Sequence, residues 1–248
     1  MKTIFLSEAR TAGFIHSSFD QRGVLRPLPS SGCPGALLNL LDPPPLHSNQ
    51  TGKQKQLSKG DEILLSASYD DTIKCWAEDG GDWYCAATLS GAHSSTVWCV
   101  AASAGGVRLI SSCADGGLAI WRCFTARERR AMEEEGDGGG GGGGGDGLWK
   151  CVGSLPGAHN PGPAYTVDCS PSRAGHGRIA SGGGDDLIQV YREVHSTGGG
   201  APMFTVDAVA HGAHDGDVNS VKWHPRDGSI LASAGDDGLV RVWEYDVS

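Results

Sequence analysis

Positive charge is scarce in this chain: 20 Lys and Arg stand against 29 Asp and Glu, for a formal net charge of -9 at pH 7. The few cations form no stripe. That argues against a nucleic-acid backbone as the main partner, because such binding rests on clustered Lys and Arg that neutralise phosphates. Long apolar runs are missing too. Nothing approaches the ~18 residues of a membrane-spanning helix, and the short apolar run in MKTIFLSEAR is below the length of a secretory signal core. The expectation is a soluble, intracellular chain with no membrane or nucleic-acid partner. Cysteine is present eight times but never as C-x-x-C, and the spacings are not those of a zinc or cluster site. Cys85 and Cys151 instead recur at one repeat position, in Trp83-Tyr84-Cys85 and Trp149-Lys150-Cys151. That recurrence predicts reduced, mostly buried thiols in packing roles, with no cofactor and no metal. A run of eight glycines, Gly138 to Gly145, lacks the Gly-Lys-Ser/Thr of a phosphate loop and reads as flexible linker.

What the chain has in quantity is one hairpin, written four times. The copies are LLSASYDDTIKCW at 64–76, ISSCADGGLAIW at 110–121, IASGGGDDLIQVY at 179–191 and LASAGDDGLVRVW at 231–243. Each is a β-rich run containing Ser, a Gly/Asp turn, then alternation leading to an aromatic residue, which is the pattern of two antiparallel strands. The turn aspartates Asp70, Asp115, Asp185 and Asp237 recur with a period in the high forties once an insertion at 126–147 is removed. Four strands per period of that length is the signature of a propeller blade. The expected organisation is a disordered, non-repeat leader over 1–59 and a repeat region over 60–248. The fourth unit lacks its outermost strand, for which Thr3 to Leu6 is the candidate.

Polar residues recur with the hairpins. The second unit has His93, Ser111, Asp115 and Trp121, and the fourth has His214, Ser233, Asp237 and Trp243. The third has His159, Ser181 and Asp185 with Tyr191 in place of Trp, and the first keeps Ser66, Asp70 and Trp76 without the His. Ser, His and Asp together invite a nucleophilic triad. Multiplicity points the other way, since a hydrolase needs one activated serine on an exposed elbow and these serines lie within strands. A structural tetrad accounts for all four residue types: the indole N–H donates to Ser, Ser bonds one His nitrogen, and the other His nitrogen bonds Asp. Tyr191 predicts a weaker third network. The chain is expected not to be an enzyme, and no partner-binding residue is assigned.

Gly-Ala-His, Ser-x-x-x-Asp and the closing Trp resemble WD40 repeats. More specifically, SASYDDTIKCW, GDWYCAATLSGAHSSTVWCV, LWKCVGSL, GDDLIQVYRE, DVNSVKWHP and GDDGLVRVWEY follow in the order seen in the Ciao family, the WD-repeat scaffold subunit of cytosolic iron–sulfur cluster assembly. The resemblance covers about 60–245 and only the C-terminal half of a full seven-bladed member. It implies an all-β WD40 β-propeller fragment of about four blades, an open arc rather than a closed ring, as expected of an incomplete gene model or truncated product. It further implies a non-catalytic scaffold that works with a HEAT-repeat scaffold, a small adaptor and iron–sulfur apoproteins in the cytoplasm and nucleus. The alternative is another WD40 adaptor, such as a ubiquitin-ligase substrate receptor. Those often carry Trp-Asp-x-Arg after a closing strand, where this chain has Trp121-Arg122, Tyr191-Arg192 and Trp243-Glu244.

Overall fold

A computed structural model describes residues 25–27, 63–103, 106, 108–125, 127–128, 149–171, 177–194 and 202–246. Three strands, β2 (Ile63–Ala67), β3 (Ile73–Asp79) and β4 (Asp82–Leu89), form the first antiparallel sheet. The second holds β5 (Val97–Ala102), β6 (Arg108–Cys113), β7 (Leu118–Cys123) and β8 (Trp149–Leu155). The third holds β9 (Ala164–Cys169), β10 (Ile179–Gly183), β11 (Ile188–Val194) and β12 (Met203–Ala210). The fourth holds β13 (Val218–Trp223), β14 (Ile230–Gly235) and β15 (Val240–Tyr245). Its outer place is taken by β1 (Leu25–Pro27), antiparallel to β15 with Leu25 opposite Tyr245.

The outer strand of the last blade therefore comes from within the leader, though from 25–27 rather than from Thr3–Leu6, which lie outside the described residues. The rest of 1–59 and most of the 126–147 insertion are also outside them. At the edge of that insertion, Thr125 and Glu128 form a capping box. The Glu128 amide donates to Thr125 Oγ1 at 3.2 Å, and the Thr125 amide donates to Glu128 Oε2 at 2.8 Å.

The second and third sheets bury residues on both faces, and each sheet packs on its neighbour in series. The first and second sheets meet through Leu65, Ile73, Cys75, Leu89, Val100, Leu109 and Trp121. Ile110, Leu118, Ile120, Val167, Ile179 and Tyr191 fill the second seam, and Ile188, Val190, Val221, Trp223, Leu231 and Trp243 the third. At roughly 1.5–3 kcal/mol per fully buried large apolar side chain, these seams rather than any single hairpin hold the repeat together. Backbone bonds sew the same neighbours at one end: Val97 N donates to Ser68 O at 3.1 Å, His159 N to Gly116 O at 3.0 Å and Ala213 N to Asp186 O at 2.8 Å. Among the described residues no seam of this kind joins the first sheet to the fourth. The blades form an open WD40-type arc, and the far face of the last blade leaves Val240 73% exposed.

Each complete hairpin turns through a left-handed residue directly after its aspartate: Asp71 (φ 64), Gly116 (φ 78), Asp186 (φ 61) and Gly238 (φ 74). Only Gly, and next to it Asp or Asn, enters that region cheaply, which explains the Gly/Asp character of the turns.

Each of the first three blades also carries a bulge where the closing aromatic meets the outer strand: Trp76 faces Cys85, Trp121 faces Cys151 and Tyr191 faces Val206. The bulge corrects one expectation. Cys85 and Cys151 share a position, but the extra residue turns both thiols outward and both are exposed. Their sulfurs reach local carbonyls, of Ala87 at 3.5 Å and Gly153 at 3.4 Å. Cys75, Cys99 and Cys113 are the buried cysteines.

Candidate functional site

The recurring polar residues gather at one end of the blades, where the β2–β3, β6–β7, β10–β11 and β14–β15 turns lie. In the fourth blade Trp243 Nε1 donates to Ser233 Oγ at 2.8 Å. His214 bridges Ser233 (Nε2, 2.7 Å) and Asp237 (Nδ1, 2.9 Å). Asp237 also accepts the amides of Leu239 and Asp215 at 3.0 and 3.2 Å and pairs with Arg241 at 3.1 Å. Desolvation works to raise the Asp237 pKa, but the hydrogen bonds from His214, Leu239 and Asp215 outweigh it and hold the carboxyl down to about 2.

In the third blade His159 bridges Ser181 at 2.7 Å and Asp185 at 2.8 Å. The Tyr191 hydroxyl is buried without a hydrogen bond of normal geometry, and burial pushes its pKa up to about 12. The third set is a triad backed by a ring.

The second blade departs. Trp121 and His93 Nε2 both reach Ser111, at 2.9 and 2.6 Å, but among the described residues no bond joins His93 to Asp115. Asp115 turns instead to the amide of Gly117 at 2.8 Å and to the Ser94 hydroxyl at 3.0 Å. Burial lowers the His93 pKa against the pull of Asp115. The expected His–Asp link is thus absent here, and the cause lies two residues before the aspartate. That position is Gly183 in the third blade and Gly235 in the fourth, where a Cβ would stand 2.6 and 2.4 Å from the His ring. Here it is Cys113.

The first blade keeps Trp76 Nε1 on Ser66 Oγ at 3.0 Å, and Asp70 accepts the Thr72 amide and hydroxyl at 3.1 and 2.6 Å.

Ser111, Ser181 and Ser233 are 0–2% exposed and each is engaged by its own His. None of the three is an exposed nucleophile.

The accessible feature at this end is aromatic. Trp98 stands edge-on to Tyr69 (5.3 Å between ring centroids) and to Tyr165 (5.5 Å), so one row of rings crosses the first three blades. Tyr69 is 58% exposed. Beside the row, Asp217 and Asp236 face Tyr165, whose pKa is raised by burial and by its bond to Asp217. Trp223 is buried in the third seam, whereas Trp98 is half-buried within the aromatic row. The available signal was the recurrence of an aromatic residue, Trp98 and then Tyr165, at the second position of two successive inner strands.

Contacts between blades were also invisible to the repeat. Tyr245 donates to Asp207 and accepts from Arg178 Nε at 2.7 Å, and Arg178 reaches Asp207 at 3.0 Å, tying the third blade to the fourth. Lys222 pairs with Asp168 across the same seam at 3.0 Å, and Arg108 with Glu193 across the preceding one at 2.6 Å.

The WD domain, G-beta repeat family matches residues 83–122 and 207–244. A protein of Aedes aegypti named "Probable cytosolic iron-sulfur protein assembly protein Ciao1" is 33% identical over 177 residues, covering 71% of this chain and 48% of that protein. "Probable cytosolic iron-sulfur protein assembly protein 1" of Meyerozyma guilliermondii is 37% identical over 176 residues, 67% of this chain and 43% of that one. The human "Probable cytosolic iron-sulfur protein assembly protein CIAO1" is 39% identical over 100 residues, 40% of this chain and 28% of its own. The chain spans about half the length of the first of these relatives.

Proposed function

We propose that this WD40-repeat chain is a non-catalytic interaction scaffold in cytosolic iron–sulfur protein assembly, acting in the cytosol on protein partners. The relatives' names support the process. The carrying observation is the Tyr69–Trp98–Tyr165 row, an aromatic strip built by three blades, exposed at Tyr69 and half-buried at Trp98 and Tyr165, and edged by Asp217 and Asp236. Aromatic side chains give large contact area at small entropic cost, and a strip edged with carboxylates fits a partner segment that carries an apolar side chain beside a cation. In this reading the Ser–His–Asp–Trp sets are structural. They fix the turns that present Tyr69 and its neighbours, while a HEAT-repeat scaffold, a small adaptor and iron–sulfur apoproteins are the expected partners.

The test is affinity capture from cytosol followed by mass spectrometry, with wild type and Tyr69→Ala side by side. Recovery of cytosolic iron–sulfur assembly proteins by wild type, reduced at least fivefold by Tyr69→Ala, is the expected result. Cullin-linked components without assembly proteins would overturn the process. Equal recovery by both chains would overturn the aromatic row as the contact.

A further inference from the structure

The second blade departs from its neighbours in a way that creates chemistry. Where the third and fourth blades carry Gly183 and Gly235 flat against a His ring, Cys113 places a thiol near both His93 and Asp115. Ligand atoms of His93, Cys113 and Asp115 lie within 4.8 Å of one another. We infer that His93, Cys113 and Asp115 form a divalent transition-metal site of the zinc class, with one nitrogen, one sulfur and one oxygen ligand.

The donor set is the first support. Imidazole, thiolate and carboxylate together suit a borderline-soft cation such as Zn²⁺, and three protein ligands leave a fourth position to water or another donor. Ligand atoms on one tetrahedral zinc stand roughly 3.3–3.8 Å apart, from bonds of about 2.0–2.3 Å. The three groups therefore need to close by about 1 Å, within the reach of side-chain rotation.

The surroundings are the second. Ser111 Oγ holds His93 Nε2 at 2.6 Å and so leaves Nδ1 for a metal, which is how a metal-bound imidazole is normally anchored through its far nitrogen. Ser94 and the Gly117 amide hold the Asp115 carboxylate, at 3.0 and 2.8 Å. Asp115 is exposed and His93 half-buried, so an ion has a way in from solvent.

Without metal the Cys113 thiol donates to Ser95 O at 3.2 Å, and burial pushes its pKa up to about 11. Binding exchanges the S–H bond for an S–metal bond and releases that proton to solvent, so affinity rises with pH. The three residues are spread over 93–115 in no recognised spacing, which is why the sequence alone did not show the set.

Co²⁺ is the probe, because thiolate coordination gives an intense near-ultraviolet charge-transfer band and tetrahedral geometry gives visible bands. Tag-free, reduced full chain is expected to show the charge-transfer band saturating at one equivalent, with Zn²⁺ displacing it. Cys113→Gly, which restores the residue found in the third and fourth blades, should fold as wild type does, lose the band and bind at least tenfold more weakly. Asp115→Asn should keep the band and weaken binding about tenfold. Cys85→Ser, at an exposed thiol outside the set, should match wild type. No band for wild type in excess Co²⁺, or a band that survives in Cys113→Gly, overturns the site. Should Cys113→Gly misfold, an Asp115→Asn affinity equal to wild type overturns it instead.

Discussion

Gly235→Ala adds one methyl group to a turn and should cost the fourth blade its His–Asp bond. The new Cβ would meet His214 Cγ at 2.4 Å and Nδ1 at 2.6 Å, closer than any real contact, and the ring is held between Ser233 and Asp237. The ring has to move away from Asp237, as it stands apart from Asp115 in the blade where Cys113 fills the same position. A hydrogen bond to a charged group is worth about 1.5–3 kcal/mol. Forced repacking adds about 1–3 kcal/mol, while the lower entropy of the unfolded alanine chain returns about 0.4–1 kcal/mol. A net loss of about 1.5–5.5 kcal/mol follows, on the order of a 10 °C fall in Tm for a chain of this size. Urea unfolding followed by tryptophan fluorescence measures it. Asp237→Asn in the Gly235→Ala background should then cost far less than in wild type, because the partner is already lost. A Gly235→Ala protein melting within about 2 °C of wild type, or two substitutions whose costs simply add, would refute the steric account of the glycine.

Two further outcomes follow from the geometry. Tyr245→Phe removes the hydroxyl between Arg178 and Asp207 but leaves their direct 3.0 Å contact, so the expected loss is about 1–2 kcal/mol. Hydrogen exchange should locate that loss in β10, β12 and β15 and leave β2–β4 unchanged. Asp237, at about 2 against an ordinary 3.8, favours the folded state fully above about pH 4, and the benefit drains away as pH falls toward 2. Asp237→Asn should flatten the pH dependence of stability across that window, as read by denaturant midpoints at successive pH values.

The hairpins were legible because the end blades alternate with a period of two, the middle blades carry short apolar runs buried on both faces, and each turn shows its left-handed residue as Gly or Asp. The Trp–Ser pairs were legible because their members lie ten residues apart on adjoining strands of one hairpin. What joins one blade to the next left no such mark. Arg178, Asp207 and Tyr245 belong to different strands of two units, and their meeting depends on how the sheets stack rather than on any local pattern. The strand at Leu25–Pro27 escaped for a related reason. It pairs with β15 across most of the chain's length, and three residues carry too little periodicity to announce it.

One column of the repeat explains why the four polar sets differ. It holds Ser68, Cys113, Gly183 and Gly235, each two residues before the turn aspartate. Glycine there lets a His ring lie flat and reach Asp, which closes the network and leaves nothing reactive. Serine appears where the unit has no described His, and Ser68 Oγ accepts the Asp70 amide at 3.3 Å, serving the turn alone. Cysteine is the one choice that separates His from Asp while adding a third donor near both. If the column served only packing, replacing Cys113 by Gly would be a simple gain, a His93–Asp115 bond recovered with nothing given up. The geometry instead sets that bond against a metal. Gly at 113 should raise the stability of the metal-free chain and abolish the response of its Tm to Zn²⁺, a pair of opposite effects that packing alone does not produce.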